Sequence, residues 1–263
     1  MGDYDDSMAL RTVRRRASVI RALGASPTRT SDLLDELDLS RSTLERAVEE
    51  LAALGFLESG GHGHVRTLAG DLAVAELDRY EGRLATLADA DDLLAALPHD
   101  ADVPPAVLDE ARVVRAEPHS PQLPVRPLCD LLDAAESVRA FAPGVVSTQV
   151  DCYRRNVVDG DTTAELVLTE PVVDRLVTDF SDELTASLRT GRLRIRRAET
   201  SVLPFSLVVA ERPEGPAMGL LVYADRGVDG FVGSDDPAAV AWARERLEDC
   251  WTSATPLPRL DDA

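Results

Sequence analysis

The sequence predicts a chain of combined α+β and α/β class, in which a small helical domain with a β-hairpin precedes an α/β domain with a mixed sheet. Three observations predict this arrangement. Two short helical patterns and a glycine-rich hairpin follow one another over residues 30–67. A polar stretch containing three prolines occupies residues 88–111. Beyond it, strand and helix patterns alternate as far as residue 251.

The helical patterns at the start of residues 30–67 predict two helices joined by a tight turn. Thr30 and Ser31 are predicted to cap the first helix, because their side-chain oxygens can accept hydrogen bonds from first-turn amides. Ser40 is predicted to cap a second, longer helix, which places its leucine, alanine and valine residues on one buried face. Gly55 is expected to end this helix. A plain helical hairpin followed by a β-turn is the alternative.

The glycine-rich segment after Gly55 predicts a two-stranded hairpin. Residues 56–58 and 64–66 have strand patterns, and the loop between them holds three glycines, which tolerate positive φ. This order of parts is that of a winged helix-turn-helix, which reads double-stranded DNA with the N-terminal residues of its second helix. The segment LSRSTLERAVEELAALGFLE also resembles the recognition helix and first wing strand of archaeal and bacterial winged-helix repressors.

The candidate DNA contacts are polar residues at the two helix starts and in the hairpin. Arginine can donate two hydrogen bonds to guanine, and serine and threonine can serve base edges or phosphates. The candidates are Thr30, Ser31, Ser40, Arg41, Ser42, Thr43, Arg46, His62 and His64. A second cluster of arginines on the first predicted helix, residues 8–23, fits phosphate contact and a solvated helix face equally well.

The net charge of −19 lies outside the predicted DNA-binding region. Residues 7–66 hold 9 arginines and 8 acidic residues, whereas residues 67–263 hold 19 arginines and 36 acidic residues. Every basic residue is arginine. A GC-rich genome alone would favour arginine, but together with the acidic excess this composition predicts a haloarchaeal protein that stays soluble in molar salt. No apolar run is long enough to span a bilayer, so we expect a cytoplasmic protein without a membrane partner.

The segment after the hairpin predicts a long helix, residues 68–87, with a narrow apolar stripe. The stripe consists of Ala73, Leu77, Tyr80, Leu84 and Leu87, at alternating spacings of four and three. Such spacing is typical of a coiled-coil seam and predicts a homodimer. Packing of the same stripe against the C-terminal domain is the alternative.

The C-terminal half resembles a known regulatory domain in the order of its motifs. These motifs are LP at 97–98, PP at 104–105, ESVRAFAP at 136–143, ELVLT at 165–169, LPFSLVV at 203–209 and AVAWARERLEDCW at 239–251. In this order they resemble the regulatory domain of archaeal FilR-type transcriptional regulators. The resemblance implies a DNA-binding regulator whose C-terminal domain senses a signal or assembles protomers. The predicted domains are 1–87, a linker over 88–111, and a regulatory domain over 112–263.

Candidate effector contacts lie in the C-terminal domain. Tyr153 follows Pro143 on a predicted helix, and alternation along strand 193–197 places Arg194 and Arg196 on one face. An anionic effector is one interpretation of these arginines, and a solvated strand edge paired with neighbouring acids is the other. An alternative for the whole chain is a constitutive DNA-binding architectural or assembly protein that takes no small-molecule ligand.

No motif predicts an enzyme, a metal site or a cofactor. The sequence lacks a nucleophile elbow, a phosphate-binding loop and a zinc-protease motif, and a phosphodiesterase-like activity is disfavoured because histidine–lysine pairs are missing. Histidines 62 and 64 are more simply wing residues than metal ligands. Cys129, Cys152 and Cys250 are widely spaced, and buried free thiols are favoured over a redox switch.

Overall fold

The chain folds into two compact units in the computed structural model, which describes residues 3–198, 204–224 and 227–257. The first unit spans Met1–Gly82 and the second spans Arg83–Ala263. The division falls inside the helix that follows the hairpin, whereas the sequence places the end of the N-terminal domain at residue 87. Within the described residues, no helix is both long enough and apolar enough to cross a membrane.

The first unit has the architecture of a winged helix-turn-helix. Its elements are α1 (Asp3–Arg15), α2 (Ala17–Ala22), α3 (Thr30–Leu37), α4 (Arg41–Ala53), β1 (Leu57–Gly60), β2 (Gly63–Arg66) and α5 (Leu68–Asp89), the last of which continues into the second unit. β1 and β2 pair in antiparallel register, with Gly60 opposite Gly63, so the wing loop is shorter than the sequence predicts. The predicted combination of a second, longer helix and a wing is confirmed.

The first helical segment is broken, whereas its periodicity predicts one helix over residues 8–23. α1 ends at Arg15 and α2 begins at Ala17, since Arg16 leaves helical geometry at φ −107° and ψ 19°. The Arg16 guanidinium is only 14% exposed and donates two hydrogen bonds to the Glu50 carboxylate of α4. This contact, which helical periodicity cannot reveal, lies at the break between α1 and α2.

Both ends of α4 follow from local chemistry. The Ser40 hydroxyl accepts a hydrogen bond from the Thr43 amide at 3.2 Å, as a helix N-cap does. At the other end, Gly55 adopts φ 73°, and the amides of Gly55 and Phe56 donate to carbonyls of Ala52 and Leu51. These paired bonds form a Schellman motif, which needs a residue that tolerates left-handed geometry. The predicted cap and stop of this helix are confirmed.

The second unit is built around an eight-stranded mixed sheet within the described ranges. Its helices are α6 (Asp91–Ala95), α7 (Val125–Asp133), α8 (Ser147–Arg154), α9 (Glu170–Asp179), α10 (Ser181–Arg189) and α11 (Pro237–Ser253). Its strands are β3 (Arg112–Arg115), β4 (Ser137–Ala142), β5 (Thr163–Thr169), β6 (Leu193–Ala198), β7 (Ser206–Glu211), β8 (Ala217–Ala224), β9 (Gly227–Ser234) and β10 (Thr255–Pro256). The strand order is β10-β6-β5-β4-β7-β8-β9-β3. β4, β5 and β6 are parallel, and the other neighbours are antiparallel, so the predicted mixed sheet is confirmed.

Helices cover both faces of this sheet and enclose two apolar cores. One core joins the sheet to α7, α8, α9 and α10. The other joins it to α11 and to the segment over residues 88–111, which the sequence predicts as a linker. That segment buries Leu93 and Val107 completely, and the Leu93 side chain lies so close to Gly230 of β9 that any Cβ there would clash. A proline-rich segment is therefore folded onto the second unit through two apolar side chains.

Candidate nucleic-acid interface

The N-terminal half of α4 presents a polar edge. The buried face of the helix consists of Leu44, Ala47, Val48 and Leu51. The exposed residues around it are Arg41, Ser42, Glu45, Arg46 and Glu49. Arg41 lies 3.4 Å from Glu45, and their side chains are 72% and 59% exposed, so this ion pair is weak. Arg46 forms no ion pair within the described part of the chain, which leaves its guanidinium free for a ligand.

Three hydroxyl groups meet at the start of α4. The Ser40 oxygen lies 2.7 Å from the Thr43 hydroxyl and 3.2 Å from the Ser42 hydroxyl. The Ser40 hydroxyl oxygen also accepts a hydrogen bond from the Thr43 amide, so it is engaged in capping α4. Among these predicted contacts, Ser42 lies on the exposed edge, whereas Ser40 and Thr43 order the turn that carries it.

The wing is fastened to the chain that leads into α3. The backbones of Thr28 and His64 exchange two hydrogen bonds, each 2.9 Å long. The His64 ring reaches the Thr30 hydroxyl at 3.1 Å through Nε2 and the Ser59 hydroxyl at 2.8 Å through Nδ1. Gly63 adopts φ 126°, and a Cβ there would overlap the Thr28 carbonyl oxygen. The wing therefore has a defined position beside α3, and glycine is required where it docks.

This arrangement separates the predicted contacts on α3 and the wing into two groups. The Thr30 hydroxyl and the His64 ring form a hydrogen bond with each other, and this bond positions the wing. Ser31 is exposed, with its hydroxyl on the Asp32 carboxylate, and His62 is exposed in the wing loop. The prediction that Thr30 and Ser31 cap α3 is wrong, because α3 begins at Thr30 after Arg29. The Thr30 hydroxyl bonds to His64, a partner that only the folded wing supplies.

The arginine cluster on α1 and α2 is largely engaged within the first unit. Arg15 and Arg16 both bind Glu50, and their hydrogen bonds and charge hold the pKa of that carboxyl below its ordinary value. Arg21 binds Asp78 and Glu81 of α5. These three arginines are therefore paired within the first unit, which neither a solvated helix face nor phosphate contact predicts. Arg14 is exposed and forms no ion pair within the described residues.

The predicted stripe on α5 divides into a buried and an exposed part. Leu77 is 4% exposed. Tyr80, Leu84 and Leu87 are 48%, 46% and 44% exposed, although each is a large apolar side chain. These three residues, at spacings of four and three, are called the α5 stripe below. An exposed row of this kind is typical of a surface that packs against another chain.

The predicted effector residues lie on opposite faces of the sheet. Leu193 and Ile195 of β6 are buried in the core beneath α7–α10, and Tyr153 of α8 packs against that same core. Arg194 and Arg196 alternate with them and face Trp251 of α11. The alternation predicted along β6 is confirmed, but the structure does not bring Tyr153 together with the two arginines.

The arginine face of β6 is already paired. The Arg194 and Arg196 guanidinium carbons lie 5.3 and 4.4 Å from the centre of the Trp251 ring. Arg194 binds the Glu165 carboxylate at 2.6 Å, and Arg196 donates to the Trp251 carbonyl at 2.6 Å. These contacts favour the second interpretation of the two arginines, in which they pair with groups of the protein itself. Of the predicted effector residues, Tyr153 lines a cavity.

The sequence favours three free thiols, but the structure has one free thiol and one disulfide. Cys129 of α7 and Cys152 of α8 form a disulfide, with their Cα atoms 5.6 Å apart. Their separation in sequence gave no indication of this proximity, which results from the packing of α7 against α8. Cys250 is free and buried, and burial raises the pKa of its thiol to about 11. No group of three potential metal ligands comes together in the described ranges.

Comparison with known proteins gives matches to both parts of the chain. A family model described as the methanogenesis regulatory protein FilR1, middle domain, matches residues 121–253. A model described as the HVO_A0261 N-terminal domain matches residues 4–90. No curated protein sequence matches the chain.

Solved structures align only distantly. TrmBL2, an archaeal chromatin protein described as showing a novel mode of DNA binding, aligns with a TM-score of 0.44 and 15% identity over 96% of this chain and 99% of that one. Nuc, a phospholipase D family member from Salmonella typhimurium, aligns with a TM-score of 0.39 and 12% identity over 57% and 99%. The family assignment depends on the first family model, which covers more than half of the 263 residues. The chain belongs to the family of the methanogenesis regulatory protein FilR1.

Proposed function

We propose that this chain is a sequence-specific DNA-binding transcriptional regulator that acts in the cytoplasm. The observation that carries the proposal is the exposed N-terminal edge of α4, placed beside an anchored wing in a chain of a regulatory family. Helices of this kind contact base edges with their first residues. The near-neutral charge of residues 7–66, within a strongly acidic chain, lets this region approach a phosphate backbone.

In the proposed complex, α4 enters the major groove. Arg41, Ser42 and Arg46 contact bases or phosphates, and His62 in the wing reaches the adjacent backbone or minor groove. Ser40 and Thr43 keep the first turn of α4 in place, while Thr30 and His64 keep the wing in place. In molar salt the electrostatic contribution to affinity falls steeply, so base contacts and DNA shape supply more of it than usual.

A binding selection tests the regulator proposal directly. The full chain is incubated with a pool of randomised duplexes at high salt, and bound duplexes are recovered and sequenced over several rounds. We expect one enriched motif, and we expect the chain to bind it at least tenfold more tightly than a shuffled duplex of the same composition. Equal affinity for both duplexes would contradict sequence-specific regulation.

We further propose that the protein is a homodimer joined through the α5 stripe. Two copies of Tyr80, Leu84 and Leu87 would bury each other, and each dimer would read two half-sites on one duplex. An effector bound by the C-terminal domain would then act by favouring one arrangement of the two DNA-binding units over another.

Replacing Leu84 by glutamate is expected to convert the dimer to a monomer, because a charge in the middle of the stripe would be buried without a partner. Sedimentation velocity measures the change, and operator affinity is expected to fall as one half-site is lost. Ala85→Glu adds the same charge at a neighbouring exposed position of α5 and should leave the dimer intact. A wild-type chain that sediments as a monomer at micromolar concentration would exclude this dimer.

A further inference from the structure

The second unit contains a cavity of about 80 Å³ between the sheet and the helices on one face. Strands β4 to β8 contribute to its floor, and α8, α9 and α10 form much of its wall. Gly144 and Val145, which lie two and three residues after the end of β4, also line it. The cavity thus extends to the carboxyl end of a parallel strand whose other neighbour is antiparallel. Open α/β sheets commonly bind ligands at such ends.

The lining of the cavity disfavours an ionic ligand. Most of the side chains that surround the cavity are aliphatic, including Leu166, Leu168 and Val172. The formally charged residues in the described lining are Arg154 and Glu183, which have opposite signs. Arg154 also lies 3.4 Å from the Asp159 carboxylate. An anion bound here would lose its water without gaining an uncompensated positive charge, so its binding is unfavourable.

A hydrogen-bonded cluster at one side of the cavity is internally satisfied. The Tyr223 hydroxyl donates its single proton to the Gly144 carbonyl at 2.9 Å. It therefore accepts from the Ser206 hydroxyl at 2.9 Å and from the Gln149 amide at 3.2 Å. The Gln149 oxygen in turn accepts from the Val146 amide at 2.9 Å. This cluster shapes the wall, and its protons are largely committed to protein partners.

Tyr153 differs from that cluster. It lines the cavity, and within the described residues its hydroxyl makes no hydrogen bond. Burial raises the pKa of Tyr153 above its ordinary value, so the hydroxyl keeps its proton and remains a donor. Because Tyr153 lines the cavity, the oxygen of a ligand bound there can accept its proton.

We propose that this cavity binds a neutral molecule of a few carbon atoms that carries one oxygen acceptor, and that Tyr153 donates a hydrogen bond to that oxygen. The volume limits the size of the ligand, since an engineered cavity of about 150 Å³ in another protein holds benzene. The proposal that the cavity binds a ligand depends on the cavity alone. Its use as the effector site of a regulator rests on the proposed function.

Isobutanol and isobutyrate test the proposal because they share a carbon skeleton and differ in charge. The full chain, labelled with carbon-13 in its leucine and valine methyl groups, is titrated with each molecule at neutral pH. We expect saturable shifts of the Leu166, Leu168 and Val172 methyl signals with isobutanol and none with isobutyrate. Non-saturable shifts, or the same response to both molecules, would overturn the proposal.

Tyr153→Phe isolates the hydrogen bond, since it removes the hydroxyl and keeps the ring. We expect isobutanol to bind roughly two- to tenfold more weakly to this variant, as for the loss of one hydrogen bond. Thr252→Val removes a hydroxyl at an exposed position of α11, on the other face of the sheet, and should bind isobutanol as the wild type does. Unchanged affinity in Tyr153→Phe would overturn the role of Tyr153.

DNA binding is measured on the same samples with the selected duplex. A chain that binds the duplex but not isobutanol would overturn this proposal and leave DNA recognition standing. A chain that binds isobutanol saturably but shows no preference among duplexes would support the cavity site and contradict the regulator proposal.

Discussion

Arg46→Ala is expected to weaken binding to the selected duplex by about 1–3 kcal/mol, which is roughly 5- to 150-fold in Kd. Arg46 is exposed on the N-terminal half of α4 and has no ion pair within the described residues. Its replacement therefore removes a DNA contact and leaves no carboxylate without its partner. Alanine is a good helix former, so α4 should remain folded. Fluorescence anisotropy titrations at fixed salt measure the change in affinity.

Two measurements separate the kinds of contact that Arg46 could make. If it contacts a base, the loss is confined to the selected duplex; if it contacts a phosphate, affinity falls equally for all duplexes and the salt dependence decreases by about one unit of slope. Arg189→Ala, at an exposed arginine in the last turn of α10, removes the same charge from the second unit and should change neither affinity. Wild-type affinity in Arg46→Ala, with thermal stability unchanged, would remove Arg46 from the interface.

Replacing both Cys129 and Cys152 by alanine is expected to lower the free energy of unfolding of the second unit by about 3 kcal/mol. The two residues lie 23 positions apart, so the disulfide restricts a loop of moderate length in the unfolded chain. Reduction of the wild-type protein should have a comparable effect. Urea unfolding with and without a dithiol reductant measures both changes.

The double alanine variant provides its own control, because its stability should not respond to the reductant. Cys250 is not expected to interfere, since its buried thiol has a raised pKa and is a poor nucleophile at neutral pH. Labelling of the denatured, unreduced wild-type chain should detect one free thiol. Three labelled thiols, or an unfolding midpoint that is the same with and without reductant, would contradict the disulfide.

The elements with strong local signals were predicted well. Ser40 and Gly55 mark the ends of α4 because a cap and a left-handed stop are made by residues within one or two turns of each other. The alternating strands and helices of the second unit were also predicted, since buried strands and amphipathic helices have different periods. The mixed sheet and the exposed edge of α4 follow from such patterns.

Contacts between distant segments were not predictable in this way. Arg16 lies at the break in the first helical segment and binds Glu50, and the Thr30 hydroxyl is bonded to His64 of the wing. Nothing in the local sequence around Cys129 and Cys152 indicates a disulfide, which becomes possible only when α7 packs on α8. Each of these features depends on a partner more than 20 residues away, and periodicity carries no information about such partners.

The amino-acid order alone was enough to establish the helix ends, the strand pattern and the polar edge of α4, because these depend on neighbours along the chain. Only tertiary packing decided which polar groups remain available to a ligand. It committed Thr30, His64, Arg194 and Arg196 to internal partners and left Arg46 and Tyr153 without them. The physical reason is that a side chain's availability depends on which groups folding brings within hydrogen-bonding distance.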